Sequence, residues 1–488
     1  MKKLFLFATF ILLLVPSSAS AASLSFGASG GSVTALQQAL IAKGYLAQGK
    51  ATGYFGPLTD AALKKFQCDS GIICSGTVVA GYGVYGPRTQ AALGGASVPT
   101  TPSGSSGTSV SSFEYSGWLP YWREASSTQD ALAHIDQLKE INPFAYVLQD
   151  DGTIRDMVGI AEEPWRSLIT VAKAKKVRVI PTIMTSDTAS LHAILSDSAR
   201  RVALEDDITA LVLNEGFDGI DIDFEGKSAD DKNYFSTFLR GLYSRMGNKW
   251  VMCTIESRTP LSDRYFNVTP PQDAGLYAND FVQINKYCDR VRFMTYDQQS
   301  VDTKRAAEAT VQGQLYAPVA DTAWVEKAIR EAMKVIPKSK IVMGVATYGY
   351  EWDVTAYSDG YVYDLLWSFG PGYAAPIAAQ YGITPVRQFS GELGFSYVPA
   401  AGMAAAPSAP VDLSAHAPSG TTSADRAAAG ALASAQANNS HSSFRYMVWQ
   451  DAEAIKQKID LAKKLGIRGV AIFRLDGGED PAMWSYFK

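Results

Sequence analysis

From about residue 114 to the C-terminus, short runs of continuous or alternating apolar residues recur between stretches whose apolar positions fall three and four apart. The first pattern predicts strands and the second helices. Eight candidate strands stand out: Tyr115 to Tyr121, Phe144 to Leu148, Val177 to Met184, Phe217 to Phe224, Trp250 to Ile255, Arg290 to Tyr296, Lys340 to Tyr348 and Gly469 to Leu475. Helical patterns separate most of them, such as Ser198 to Asn214 closing at Gly216 and Trp324 to Val335 closing before Pro337. Strict alternation of this kind predicts an α/β fold, a (β/α)8 TIM barrel over 114–488, with any catalytic groups at the C-terminal ends of its strands. One interval breaks the rhythm. Roughly ninety residues part the seventh strand from the eighth, so 354–447 reads as an insertion. Its first half carries Tyr361, Tyr363, Trp367, Phe369 and Tyr373, suited to a cleft wall or to a minor core of its own; 403–443 is rich in Ala, Ser and Pro and reads as low-complexity and mobile.

The N-terminal part follows another pattern. GYFGPLTDAAL at 53–63 returns as GVYGPRTQAAL at 83–93, and in each copy Gly-Pro makes a turn, Thr59 or Thr89 is placed to cap a helix, and Ala-Ala-Leu begins an apolar face. An upstream helix with Val33, Leu36 and Leu40 before Gly44 has the spacing to pack against them, so 23–95 is expected to be a small all-α domain. Residues 96–113 hold Ser, Gly, Thr and Pro without apolar period and read as a flexible linker. At the start, Lys2 and Lys3 precede an apolar run from Leu4 to Val15 and the small residues Ala19 to Ala22. That order is a secretory signal peptide, 1–22, and the run is short of the roughly 20 residues a membrane span needs. The expectation is a secreted, wall-associated chain with no permanent span.

Charge and cysteine content narrow the chemistry. A net charge of -4 offers no footprint for nucleic acid. Of the four cysteines, Cys68 and Cys74 lie close in a Gly-rich loop and a bridge between them is plausible; Cys253 and Cys288 sit beside predicted strands and are read as unpaired thiols. No Cys/His spacing suggests a metal, and no cofactor motif is present.

The strongest chemical signal is FDGIDIDFE, Phe217 to Glu225. A strand's period of two puts Asp221, Asp223 and Glu225 on one face and Ile220, Ile222 and Phe224 on the other. With the apolar face against helices, the carboxylates form an inward file that ends at the mouth with Glu225. Three such groups cannot all ionise cheaply, so at least one pKa should rise and a proton should be shared. A carboxylic acid kept protonated near neutral pH is what glycoside hydrolysis requires of its proton donor. A divalent-cation site or a structural acidic network is the alternative use of such a file.

These residues resemble the DxxDxDxE signature of glycoside hydrolase family 18, matched by Asp218, Asp221, Asp223 and Glu225, together with MTYD at Met294 to Asp297. The bacterial spore-germination and wall-lytic branch is the part of that family most similar, through NPFAYVLQDDG at 142–152, MGVATYGYEWD at 343–353 and VWQDAEAIKQKIDLAKKLGIRGVAIF at 448–473. The 23–95 segment resembles a peptidoglycan-binding module, through Val33 to Gln37, Gly53 to Thr59 and Phe66-Gln67. The resemblance implies substrate-assisted retaining catalysis: Glu225 protonates the glycosidic oxygen while the substrate's acetamido carbonyl attacks the anomeric carbon. It further implies that Asp223 orients the acetamido group, Asp221 shares a proton with Asp223, Tyr296 bonds the acetamido oxygen and Asp297 contacts sugar. Asp218 has the opposite strand parity and reads as structural. Tyr121, Trp122, Tyr348 and Trp352, at ends of strands one and seven, suit sugar stacking or core packing equally, and Trp449 reads as structural. Phe473 stands where the family usually has Trp beneath the cleaved sugar, and PTIMTSD at 181–187 replaces the Ser-x-Gly-Gly of many chitinases. The implied function is a monomeric endo-β-N-acetylglucosaminidase of peptidoglycan or a related polymer, with a chitinase or a non-catalytic wall-binding barrel as alternatives.

Overall fold

The computed structural model describes residues 24–75, 81–86, 89, 92–93, 113–400 and 413–488. The segment expected to be an export signal, and all of the expected linker but residue 113, lie outside these residues. The chain divides into two compact units, Met1–Ser103 and Gly104–Lys488.

In the first unit, α1 (Gly31–Ala42) and α2 (Pro57–Asp69) close on a core of Val33, Leu36, Leu40, Phe55, Leu63 and Phe66. Pro57 opens α2, where its missing N–H costs nothing. Thr59 is not the cap it was expected to be. Gly56 occupies that position with no side-chain bond, and Thr59 is buried as an acceptor for Gln37 Nε2 at 2.8 Å, while Gln37 Oε1 takes the Gly53 N–H at 2.9 Å. The same device recurs in the second copy, with Gln67 bonded to Thr89 at 3.1 Å and to the Gly83 N–H at 2.9 Å. The repeat is thus a buried amide clasping a turn. A disulfide joins Cys68 to Cys74.

The second unit is a closed parallel barrel. Its strands are β1 (Glu114–Pro120), β2 (Glu140–Leu148), β3 (Thr182–Thr185), β4 (Gly219–Phe224), β5 (Trp250–Glu256), β6 (Arg290–Met294), β7 (Ile341–Ala346) and, after an insertion holding β8 to β12, β13 (Gly469–Phe473). Each pairs with its sequence neighbour in the barrel, and β13 returns to β1 to close the ring. Helices α3 (Ser198–Asn214) and α4 (Lys232–Arg245) flank β4 and cover its outer face, where the Phe224 ring stacks on Phe238 at 5.5 Å. Further round lie α5 (Thr322–Met333) and α7 (Ala452–Leu465), while α6 (Arg426–Asn438) packs on the insertion.

The insertion is an antiparallel sheet in the order β9 (Gly360–Phe369), β8 (Gly349–Tyr357), β12 (Ser442–Trp449), β11 (Leu393–Tyr397) and β10 (Val386–Arg387). It builds a core of its own from Phe369, Phe395, Tyr397, Met447 and Trp449. Residues 413–443 are not the mobile stretch their composition suggested; they include α6, whose Ala427, Ala428, Ala431 and Ala435 are buried. A Cβ at Gly430 would come within 1.7 Å of the Leu413 carbonyl oxygen, so small residues here serve close packing. Residues 401–412 lie outside the described set.

A second disulfide, Cys253–Cys288, corrects the expectation of unpaired thiols. Cys253 lies on β5, and Cys288 ends the short helix Phe281–Tyr287 that leads into β6 beside it, which brings the Cα atoms to 5.9 Å.

Candidate active site

Every residue of β4 is buried, and its inward file descends from the mouth into the barrel. Asp221 lies deepest. Its Oδ2 accepts from Trp118 Nε1 at 3.1 Å and Thr182 Oγ1 at 2.9 Å, and its Oδ1 from Thr254 Oγ1 at 2.9 Å. Arg292 Nη1 stands 2.8 Å from Oδ2, a contact of charge without an aligned hydrogen bond. The far side of that guanidinium meets Glu140 on β2, which Arg178 also engages at 3.0 Å. Asp221 is therefore surrounded by hydrogen-bond donors and a guanidinium.

Asp223, one step higher, has the opposite surroundings. It is buried, and its Oδ1 has no hydrogen-bond partner among the described residues. Burial, followed by the charges of Glu225 and Asp221, raises its pKa well above the usual carboxylate value. The Tyr296 phenol, also buried, is lifted by burial and then by Asp223, Asp297 and Glu225. Gly344 makes room for this ring, since a Cβ there would lie 2.8 Å from Tyr296 Cε1.

Glu225 lies just beyond the end of β4, at the mouth. Its pKa is raised by burial first and then by Glu256 and Asp297, against the opposing charge of Lys227. Lys227 itself is buried, donates to the Phe224 carbonyl and lies 3.6 Å from Glu256, and burial lowers its pKa. Glu256, at the end of β5, also accepts from the Gly226 N–H at 3.0 Å and Asn279 Nδ2 at 2.6 Å. A cleft of about 250 Å³ opens here, lined by Glu225, Glu256, Met294, Tyr296, Asp297 and Trp324 among others.

The remaining expected residues divide. Asp297 lies in this cleft with φ 54°, a left-handed conformation that Asp tolerates better than most residues, and accepts from the hydroxyls of Tyr348 and Tyr350. Tyr348 is buried, so it reaches the site through Asp297 rather than presenting a ring to it. Phe473, half-buried, stacks on Tyr296 at 5.2 Å and meets Trp118 edge-on at 5.8 Å. Tyr121 packs on the same inner cluster as Phe473, whereas Trp122 is 45% exposed beside it. Trp352 packs edge-on against Tyr350 and Tyr363 inside the core, and Trp449 belongs to the core of the inserted sheet. Asp218 accepts the Val179 N–H at 2.8 Å at the foot of the strand.

Sequence reasoning missed Trp118, Arg292, Glu140, Lys227 and Glu256. Glu256 had a usable signal, an acidic residue at the C-terminal end of a predicted barrel strand. The others are recognisable only once the strands are wound into a ring.

Residues 118–478 match the family described as "Glycosyl hydrolases family 18", and residues 29–93 match one described as "Putative peptidoglycan binding domain". The uncharacterized glycosylase YvbX of Bacillus subtilis is 23% identical over 333 residues, covering 67% of this chain and 78% of that protein. Among solved structures, the Bacillus cereus spore cortex-lytic enzyme SleL superposes with a TM-score of 0.55 at 17% identity, over 77% of this chain and 73% of that one. A chitinase from Chromobacterium violaceum superposes with a TM-score of 0.54 at 16% identity, over 77% and 98%. The family match spans most of the chain and the whole of the carboxylate file. The chain belongs to glycosyl hydrolases family 18.

Proposed function

We propose that this glycoside hydrolase is an exported endo-β-N-acetylglucosaminidase that cuts wall glycan by substrate-assisted retaining catalysis. The observation that carries the reading is that Asp223, with a buried oxygen unpartnered among the described residues, acts by its charge on both the Tyr296 phenol and, as its file neighbour, the site of Glu225. An acetamido group has one donor and one acceptor. Its N–H suits Asp223, and its carbonyl oxygen suits the Tyr296 hydroxyl; so held, that oxygen can attack the anomeric carbon while Glu225 gives its proton to the leaving oxygen. Water then adds to the anomeric carbon with Glu225 as base, and no enzyme nucleophile is required. Asp223, bonded to the acetamido N–H, also stabilises the developing oxazolinium, and Asp221 beneath it shares its proton. The match of residues 29–93 to a peptidoglycan-binding family favours wall glycan over chitin.

Purified peptidoglycan treated with the full chain should gain N-acetylglucosamine reducing ends, identified by mass spectrometry, and Glu225→Gln should abolish that gain. Equal release by both proteins would refute the proposal. Turnover of chitin oligomers in preference to peptidoglycan would reassign the enzyme as a chitinase.

A further inference from the structure

The catalytic cleft does not end at Glu225. A second lobe of about 400 Å³ shares Glu256, Ser257, Arg258 and Arg264 with the first and continues along Tyr277, Asn279 and Phe281. Its charged lining is Lys227, Arg258 and Arg264 against the single carboxylate of Glu256, in a chain whose net charge is -4. Glu256 is already engaged by Lys227, Asn279 and the Gly226 N–H, and Arg258, which donates to the Asn279 carbonyl at 3.5 Å, feels Glu331 and Asp280 only at longer range. Neither forms an ion pair among the described residues. Arg258 is held in place by its neighbours, with its guanidinium 3.5 Å from the Phe281 ring centre and 4.6 Å from that of Tyr277. Arg264 is exposed and lies over Tyr265 at 5.5 Å.

Two guanidinium groups not ion-paired among the described residues, one of them fixed by aromatic stacking, form a receptor for a carboxylate. We infer that Arg258 and Arg264 form an acid-recognising subsite that takes the carboxylate borne by a wall sugar, on its lactyl ether or on the peptide attached there. The inference rests on the wall-glycan reading above and supplies its specificity: chitin is neutral and has nothing to offer this lobe.

The test uses soluble glycan fragments from peptidoglycan and the same fragments after methyl esterification. With the full chain, esterification should lower kcat/KM about tenfold, through KM, the value of one charged hydrogen bond. Arg264→Gln should lower it about tenfold on the acidic fragments and leave the esterified ones unchanged, and Arg264→Lys should recover part of the loss. Arg258→Gln should act in the same sense. Equal losses on both substrates, or none on the acidic one, overturn the subsite; so does a loss on esterified fragments, which would mean that another anion is bound. The same comparison by affinity in the Glu225→Gln background needs no turnover. Absence of hydrolysis would therefore refute the glycosidase proposal, while the affinities still decide the subsite.

Discussion

Arg292 is the most exacting test of how the barrel holds its charges. Its side chain is fully buried and lies between Asp221 and Glu140. Arg292→Met keeps most of the volume and removes the charge. Each acid retains other partners, Asp221 its bonds to Trp118, Thr182 and Thr254, and Glu140 its pair with Arg178 and the Asn142 amide at 3.1 Å. The expected loss is therefore that of one broken buried pair, about 3–5 kcal/mol, and not twice that. At a urea slope of about 3 kcal/mol/M the midpoint of barrel unfolding should fall by about 1 M or more. Its pH dependence has a definite sign. Burial pushes the Glu140 pKa up, but Arg292 and Arg178 outweigh it and hold the folded value below the usual one. Such a group contributes stability above its unfolded pKa, near 4.3, that is lost as pH falls through the folded value. Without Arg292 the folded pKa rises, so the deficit of the variant should be largest at neutral pH and shrink toward pH 4. Urea titrations of wild type and variant at both pH values check this. A loss under about 1 kcal/mol, or one that grows on acidification, would show that Arg292 does not compensate these acids.

Glu256→Gln removes a charge that lifts the Glu225 pKa, so the alkaline limb of kcat/KM should move to lower pH, while Lys227→Met should move it higher; limbs that stay in place would mean that neither group acts on the proton donor. Asp130, behind the Phe473 end of the barrel, has its pKa raised to about 8 by burial and then by Glu479 and Asp476. A carboxyl raised in the folded state loses stability as pH climbs from its unfolded value to the folded one, so the thermal midpoint should drop between about pH 4 and 8 and level off above, and Asp130→Asn should flatten that drop. Replacing Cys253 and Cys288 by Ser opens a loop with a sequence separation of 35, which should lower stability by about 3–4 kcal/mol, read from the urea midpoint.

The barrel was legible because its signal is local. Each strand states its period in a handful of residues, and FDGIDIDFE stated both its parity and its chemistry, so the identities of the file residues were available before any fold. The helix Ser198–Asn214 was legible to the residue, because its Asp197 cap and the left-handed Gly216 beyond its end mark both limits. What failed was what needs a second strand. Thr59 looked like a cap because caps are local, yet its partner Gln37 is 22 residues away. Cys253 and Cys288 gave no hint of convergence because their approach depends on how one helix returns to the sheet. The Ala-rich stretch misled by composition: small residues look like disorder until a neighbouring backbone, here Leu413, is found against them.

The same distinction explains the asymmetry of the carboxylate file. Parity alone makes Asp221 and Asp223 equivalent, two acids on one face, and suggests that they share a proton as equals. The ring of strands makes them unequal, because Arg292 from β6, Thr254 from β5, Thr182 from β3 and Trp118 from β1 all converge on the lower acid. The upper acid receives only the charges of its neighbours, in a buried setting. A file of three acids is tolerated because its deep end is bonded and ion-paired from four other strands, while burial and neighbouring charge raise the pKa of its upper members. The chemistry at Glu225 therefore depends on residues up to a hundred positions away in sequence, and a substitution at Arg292 should be felt at the mouth as well as in the core.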